Sequence, residues 1–240
     1  MRKDHKPYAL KRLQGVIEQF SVDRFITPQL DAIGPGGMIL KPWHLKLYGA
    51  NIRFGEAVHV ITARDRTVRL TTWSHDDGVG EIEVQDYALI CPGVRIDSAS
   101  RVVIGPNTML AAGVYVTDAD WHCIYDRPRP NGKTAPVVME DNVWVGDGVV
   151  VGKGVTIGAN ASVGAGAVVT KSLPANVIAA GNPAVIVREL NPDEPMQRRQ
   201  DLLGDHPTLT RNIDLLEQML RKDNSWWRYL RTKVAPTRED

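Results

Sequence analysis

The chain has 240 residues, of which 43% are hydrophobic and 24% charged, and its formal net charge is +1. This balance is typical of a globular protein and excludes a disordered or fibrous chain. With a charge so near zero we expect neither nucleic acid nor an anionic membrane as the main partner, and no apolar stretch reaches the roughly eighteen residues of a transmembrane helix.

The N-terminal segment is basic, but it lacks the apolar stretch of a signal peptide. Cys91 and Cys123 are too few for a disulfide framework, and their spacing matches no zinc motif. We therefore expect a reduced, cytoplasmic protein. Within residues 1–44, apolar residues at helical intervals predict a helix that caps the rest of the fold. They are Leu10, Leu13, Ile17 and Phe20.

Residues 45–190 contain pairs of apolar residues that recur every six positions. Because six is even, strand alternation returns the same face inward at every repeat, and glycines between the pairs permit tight turns. Two extra residues between Ile96 and Ile104 interrupt the step, which then resumes. Typical pairs are Val94/Ile96, Val102/Ile104, Val143/Val145, Val149/Val151 and Val155/Ile157.

Such short strands cannot bury their faces alone, so successive repeats must stack into a solenoid. With one strand per hexad, three hexads complete one coil of a triangular prism. The repeat therefore predicts a mainly β fold, with helical segments at both ends.

The segment VWVGDGVVVGKGVTIGANASVGAGAVVTKSLPANVIAAGNPAVIVREL resembles the hexapeptide-repeat acyltransferases. It is most similar to their galactoside, maltose and lipopolysaccharide O-acetyltransferase branch. The resemblance implies a left-handed parallel β-helix, acetyl-coenzyme A as the acyl donor, and a homotrimer with active sites between subunits.

Residues 117–136 break the hexad rhythm, and we interpret them as a loop carried on the rigid prism. A neutral His122 imidazole could take a proton from an acceptor hydroxyl, or it could merely satisfy a hydrogen bond within the loop. Asp118 or Asp120 could hold its other ring nitrogen. The string TDADWH resembles the family's aspartate-rich loop, which implies that His122 is the general base.

Other functions for this loop are less favoured by the residues. Cys123 points away from its neighbour His122 in an extended chain, so it is a poor nucleophile. Asp118 and Asp120 could form an Asp-x-Asp metal site, but no doubly wound pattern surrounds them. Arg127 and Arg129 could contact an acidic acceptor or be merely exposed.

A zinc site of the kind found in trimeric β-helix carbonic anhydrases would need several histidines. The other candidates are His44, His59 and His75, and none has close spacing to His122. We therefore expect no metal.

The resemblance also implies where the acyl donor binds. Strand parity points Trp144 outward, beside the donor or the trimer seam. Ala165 matches the position whose backbone meets the pantetheine arm. Asp147 stands where relatives often carry a small hydroxyl residue. Val185 stands where some relatives carry a basic residue. The remaining donor residues are Thr170, Lys171 and Arg188.

Residues 191–240 follow a break at Pro192 and Pro195, and their apolar spacing predicts one or two amphipathic helices. We expect Trp226 and Trp227 to pack on the β-helix or on a neighbouring subunit. If the protein has a membrane contact, this aromatic and basic segment is the place for it.

Together these observations predict a coenzyme A-dependent acyltransferase that acetylates a sugar or glycan hydroxyl by direct attack. The alternatives are a non-catalytic β-helix scaffold or binding module, and a metal-dependent hydratase.

Overall fold

A computed structural model of the protein describes residues 4–75, 78–128 and 132–237. In these ranges no helix combines the length and hydrophobicity needed to cross a bilayer. The helices are α1 (Tyr8–Ser21), α2 (Arg199–Leu203), α3 (His206–Arg221) and α4 (Trp226–Val234). The first eleven strands are β1 (Ala32–Ile33), β2 (Met38–Leu40), β3 (Leu45–Tyr48), β4 (Ile52–Phe54), β5 (His59–Ile61), β6 (Val68–Thr72), β7 (Ser74–His75), β8 (Gly78–Val79), β9 (Glu81–Val84), β10 (Leu89–Ile90) and β11 (Arg95–Ser98). The others are β12 (Arg101–Ile104), β13 (Met109–Leu110), β14 (Tyr115–Thr117), β15 (Val137–Met139), β16 (Trp144–Val145), β17 (Val150–Val151), β18 (Thr156–Ile157), β19 (Ser162–Val163), β20 (Val168–Val169), β21 (Val177–Ala180) and β22 (Val185–Glu189).

Successive strands join three sheets in turn, so every third repeat strand lies on the same face of a prism. Sheet 1 has the order β1-β4-β9-β12-β15-β18, and sheet 2 has β2-β5-β10-β13-β16-β19-β21-β22. Sheet 3 has β3-β6-β11-β14-β17-β20, and β7 pairs with β8 in a separate hairpin. Apart from the antiparallel pair β21–β22, the strands within the three sheets pair in parallel. This is the stacked β-helix that the hexad repeat predicts.

The inward residues of the repeat form one continuous apolar core. Val143, Val145, Val149 and Val151 have no exposed surface, while Trp144 between the first two is 54% exposed. Each buried valine contributes about 1.5–3 kcal/mol relative to exposure. The predicted parity of the repeat is therefore confirmed.

The prism begins before residue 45, the predicted end of the N-terminal segment. Strands β1 and β2, which we assigned to that segment, already pair with β4 and β5. Ile39 is buried in the core there, but the surrounding sequence has no clear hexad, so the pattern alone missed this first coil. The predicted N-terminal helix is present as α1.

Asparagines turn the chain at the corner between sheets 1 and 2. Four of them have positive φ, a conformation that asparagine tolerates better than most residues. Their side chains stack between coils: Asn142 donates to Asn160 at 2.9 Å, and Asn160 donates to Asn176 at 3.0 Å. Glycine thus supplies only part of the turn chemistry. The four are Asn107, Asn142, Asn160 and Asn176.

The C-terminal segment runs back along this corner, and its described part, residues 191–237, contains three helices where one or two were predicted. Arg198 pairs with Asp141 at 2.7 Å, and the backbone N–H of Gln200 donates to Asn107 at 2.8 Å. Helix α3 then meets α1, where the Tyr8 hydroxyl donates to Asp214 at 2.7 Å.

The aromatic residues at the start of α4 are largely exposed. Trp226 is 53% exposed and Trp227 80%. Within one chain much of both rings is therefore exposed, and packing on a neighbouring subunit stays a prediction. The sequence could not decide this, because aromatic residues at helical spacing fit a buried and an exposed face equally well.

Candidate active site

The predicted loop 117–136 leaves the prism at the corner between sheets 3 and 1. Strand β14 ends at Thr117 and β15 begins at Val137, so residues 118–136 connect these two strands. Its base is paired like a hairpin: the N–H of Asp120 donates to the Lys133 carbonyl at 2.8 Å, and that of Ala135 to the Asp118 carbonyl at 2.9 Å. Arg127 is exposed, while Arg129 lies outside the described residues.

His122 is exposed on this loop. Its ring has no hydrogen-bond partner in the part of the chain that the structure describes. The preceding residue, Trp121, is held by its indole N–H, which donates to the Thr117 hydroxyl at 3.2 Å. The imidazole is therefore available to an external ligand on a backbone that is fixed at its base.

Asp118 is fully buried and contacts the neighbouring coil. Its carboxylate accepts from the Ser98 hydroxyl at 2.7 Å and from the N–H groups of Ala99 and Ser100 at 2.7 and 2.9 Å. These three donors occupy both carboxylate oxygens. Asp118 thus ties the base of the loop to the turn after β11.

Asp120 pairs with a lysine on the next coil. Lys153 Nζ lies 2.7 Å from Asp120 Oδ1, and both side chains are about one-third exposed. Within one chain, both aspartates thus have partners other than His122. That one of them orients His122 stays a prediction.

The other loop candidates take different positions. Cys123 is half-buried as a free thiol. His75, on the β7–β8 hairpin, has Nε2 3.0 Å from the Gly132 carbonyl, so it supports the loop. His59 lies on sheet 2, where its Nδ1 is 3.3 Å from Arg199. In the described ranges no three histidine, cysteine or acidic side chains converge as a metal site would require.

Four of the predicted donor residues share one side of the prism. Trp144 and Arg188 lie on one outward row of sheet 2, because Trp144 pairs with Ser162, Ser162 with Ile178, and Ile178 with Arg188. At about 4.8 Å per strand they are roughly 14 Å apart. Asp147 and Ala165 border that row at the corner between sheets 2 and 3.

The other two donor residues lie at a different corner. Thr170 and Lys171 follow β20, at the corner between sheets 3 and 1, and are exposed. This is the corner that carries the His122 loop and Lys153. One chain therefore presents the predicted donor residues as two groups on opposite sides of sheet 3.

The Asp147 carboxylate affects the pKa of Cys91, which follows β10 of sheet 2. Burial, with the Asp147 carboxylate as a second cause, raises the pKa of the Cys91 thiol above its ordinary value. Asp147 also accepts from the N–H of Ala112 at 3.2 Å. Cys91 is therefore a poor thiolate at neutral pH.

Sequence reasoning missed several residues around the site. Lys153 sits in a repeat turn, where a charge is usually solvated. Tyr48 and Trp73 come from earlier coils, yet the Trp73 ring lies 4.9 Å from Tyr48 and 6.2 Å from Trp121 between centroids. Only the stacking of coils brings these side chains together.

The repeat matches a known family. Residues 136–171 match the family model described as bacterial transferase hexapeptide (six repeats). Galactoside O-acetyltransferase of Escherichia coli K12 is 42% identical over 92 residues, which cover 38% of this chain and 45% of the relative. That of Lactococcus lactis is 32% identical over 159 residues, covering 66% of this chain and 63% of the relative. The chain spans about half the length of the first curated relatives it matches.

The fold is also present in solved structures. AntD, an N-acyltransferase from Bacillus cereus solved with dTDP and 3-hydroxybutyryl-CoA, superposes with a TM-score of 0.56, covering 80% of this chain and 96% of AntD. At 16% identity this likeness concerns the fold alone. The predicted fold class, a left-handed parallel β-helix with helical ends, is confirmed. Over its repeat region the chain is thus similar to hexapeptide-repeat acetyltransferases, as its sequence indicates.

Proposed function

We propose that the protein is a coenzyme A-dependent acyltransferase that moves an acetyl group from acetyl-coenzyme A to a sugar or glycan hydroxyl. The observation that carries this proposal is His122, an exposed imidazole without a hydrogen-bond partner among the described residues, on a loop anchored to a hexapeptide-repeat prism. Relatives named galactoside O-acetyltransferase support the substrate class.

In the proposed mechanism, acetyl-coenzyme A supplies the acetyl thioester. His122 accepts the proton of the acceptor hydroxyl as its oxygen forms a bond to the acetyl carbon. The carbon–sulfur bond then breaks, and His122 returns the proton to the departing thiolate. No covalent bond to the enzyme is needed, which suits a loop in which Cys123 is half-buried.

The residues on sheet 2 suit the donor. Trp144 and Ile178 offer an apolar surface for the pantetheine arm, and Arg188 is an exposed cation for a phosphate. Lys171 offers a second cation at the other corner. Val185 is 59% exposed and adds no charge.

We propose that the complete site forms between copies of the chain, as a homotrimer. Within one chain, sheet 3 lies between the donor residues around Trp144 and the corner that carries His122 and Lys171. A second copy that brings its sheet 2 against this corner would unite the two groups. The two free cysteines support a cytoplasmic location.

The test is a screen of acceptor sugars with acetyl-coenzyme A, followed by the release of free thiol. We expect turnover on at least one hydroxyl acceptor, and a loss of roughly 10²–10⁴-fold in His122→Ala with donor binding retained. His44→Ala is the matched control, because His44 lies outside the loop and the donor rows.

Several outcomes would contradict the proposal. Full turnover by His122→Ala would contradict the assignment of His122 as the general base. The absence of a thermal shift with acetyl-coenzyme A would favour a scaffold or binding module. Stoichiometric zinc in the purified protein would favour a hydratase.

A further inference from the structure

Three aromatic rings from different coils meet on the outer face of sheet 3, beside the His122 loop. Tyr48 and Trp73 are tilted by 40° at a centroid separation of 4.9 Å, and Trp73 meets Trp121 edge to face at 6.2 Å. Tyr48 is 58% exposed and Trp73 44%. We call these three side chains the aromatic platform. Since Trp121 directly precedes His122, the platform adjoins the proposed base.

Hydrogen bonds hold the platform in place. The Trp73 indole N–H donates to the Thr71 hydroxyl at 2.8 Å, and that hydroxyl donates to the buried Asp97 carboxylate at 2.7 Å. Arg95 completes the chain, with its guanidinium 2.5 Å from Asp97. The indole N–H groups of Trp73 and Trp121 are thus satisfied within the protein, while Tyr48 and Trp73 stay partly exposed. Fixed, partly exposed aromatic faces suit stacking on the apolar face of a pyranose ring.

A row of cations lies next to the platform on the same sheet. Lys46 pairs in register with Arg69, and Arg69 with Arg95, on three adjacent strands. Like charges directly opposite each other on a sheet are destabilising. Asp97 neutralises Arg95, but Lys46 and Arg69 contact no acidic side chain in the described ranges. Both are exposed, so the row presents two cations that an anionic group could reach.

We infer that this face of sheet 3 is the acceptor subsite, and that the acceptor is an acidic glycan. The aromatic platform would stack on a sugar ring, while Lys46 and Arg69 would bind its carboxylate or phosphate. This inference rests on the proposed function, because it places the sugar hydroxyl beside His122. Neutral glycans would use the platform alone and bind more weakly.

The test measures binding of the full chain to an array of neutral and acidic oligosaccharides, without donor. We expect binding to be enriched on acidic glycans and to weaken as salt is raised. Trp73→Ala should weaken binding roughly tenfold on every bound glycan. Arg69→Gln should weaken binding to acidic glycans about fivefold and leave neutral ones unchanged. Trp227→Ala and Arg211→Gln are matched controls on the C-terminal helices.

The inference is overturned by binding of neutral glycans only, by an array without signal, or by a Trp73→Ala protein that is folded and binds normally. Circular dichroism of each variant separates loss of fold from loss of binding. Its failure is distinct from that of the proposed function, because His122→Ala should bind the same glycans as the native chain. Binding of acidic glycans without thiol release would support the subsite and contradict the proposed transferase. Thiol release on neutral sugars alone would support the transferase and contradict the subsite.

Discussion

Lys153 Nζ lies 2.7 Å from Asp120 Oδ1 and joins the loop of one coil to the turn of the next. The contact spans 33 residues of sequence but only one coil of the prism. The carboxylate of Asp120, which is close to His122 in sequence, is therefore paired with a lysine from another repeat. The loop is therefore held by the solenoid as well as by its own hairpin base.

This ion pair predicts a coupled effect of two substitutions. Lys153→Gln and Asp120→Asn should each increase proteolytic cleavage within 121–128 and lower acyl transfer severalfold, because the loop loses its outer anchor. The double variant should be no worse than either single variant, with a coupling energy of about 0.5–1 kcal/mol. A double-mutant cycle on thiol-release rates measures this, and additive effects would contradict it.

We expect substitution of Asp118 to lower the stability of the fold. Asp118→Asn replaces an acceptor of three hydrogen bonds by an amide that meets N–H groups with its own, so we expect a loss of about 2–3 kcal/mol in the free energy of unfolding. Thermal denaturation of variant and native chains measures it, with Asp126→Asn on the exposed part of the loop as the control.

The pH profile of acyl transfer by Asp118→Asn tests the alternative role. If Asp118 orients His122, the profile should shift even in folded protein. An unchanged profile with a lower Tm would confirm that its part is structural.

His59 predicts a dependence of stability on acid. Burial, with Arg199 as a second cause, lowers the pKa of His59, so the folded chain binds fewer protons than the unfolded chain, whose histidine titrates near 6.5. Its contribution is therefore present above about pH 6.5 and is lost as the pH falls below it.

Protonated His59 would also repel Arg199, which fastens α2 to sheet 2. We expect the protection factors of the α2 amides, which correct for the intrinsic pH dependence of exchange, to fall between pH 7.5 and 5.5 in the native chain. His59→Leu should have a flatter response. Equal pH dependence in both chains would contradict the assignment.

Cys91 and Asp147 predict a difference in thiol reactivity. Because burial and the Asp147 carboxylate raise the pKa of Cys91, iodoacetamide should modify it slowly at pH 7.5. Asp147→Asn should accelerate that reaction severalfold, as measured by peptide mass spectrometry. Cys123 in the same molecule is the internal control, and a parallel rise at both thiols would indicate general loosening instead.

Much of the prism could be predicted because each repeat strand obeys a local rule. The alternation around Trp144 depends only on strand geometry, so its exposure followed from the sequence. The strands β1 and β2 in residues 32–40 could not be predicted, because they are completed by pairing with β4 and β5 and carry little pattern of their own. The same limit applies to the stacked asparagines Asn142, Asn160 and Asn176, whose role depends on backbone torsion.

The candidate site, like the prism, could be predicted from the sequence only in part. The interruption that contains His122 is visible in the sequence as a break in the period of six. The partners of Asp118 and Asp120 did not, since Ser98 and Lys153 belong to other coils. Tyr48, Trp73 and Trp121 are 25 and 48 residues apart along the chain, and no short motif links them.

The sequence by itself determined the repeat, the inward face of each strand and the place where a loop with a histidine leaves the prism. These features depend on alternation and period, which are properties of neighbouring residues. Only the tertiary structure decided which side chains meet across coils: Asp120 with Lys153, Trp73 with Trp121, and Lys46 with Arg69. Those contacts depend on the register of the stacked coils, which parallel pairing sets between residues 23 to 35 positions apart in these strands.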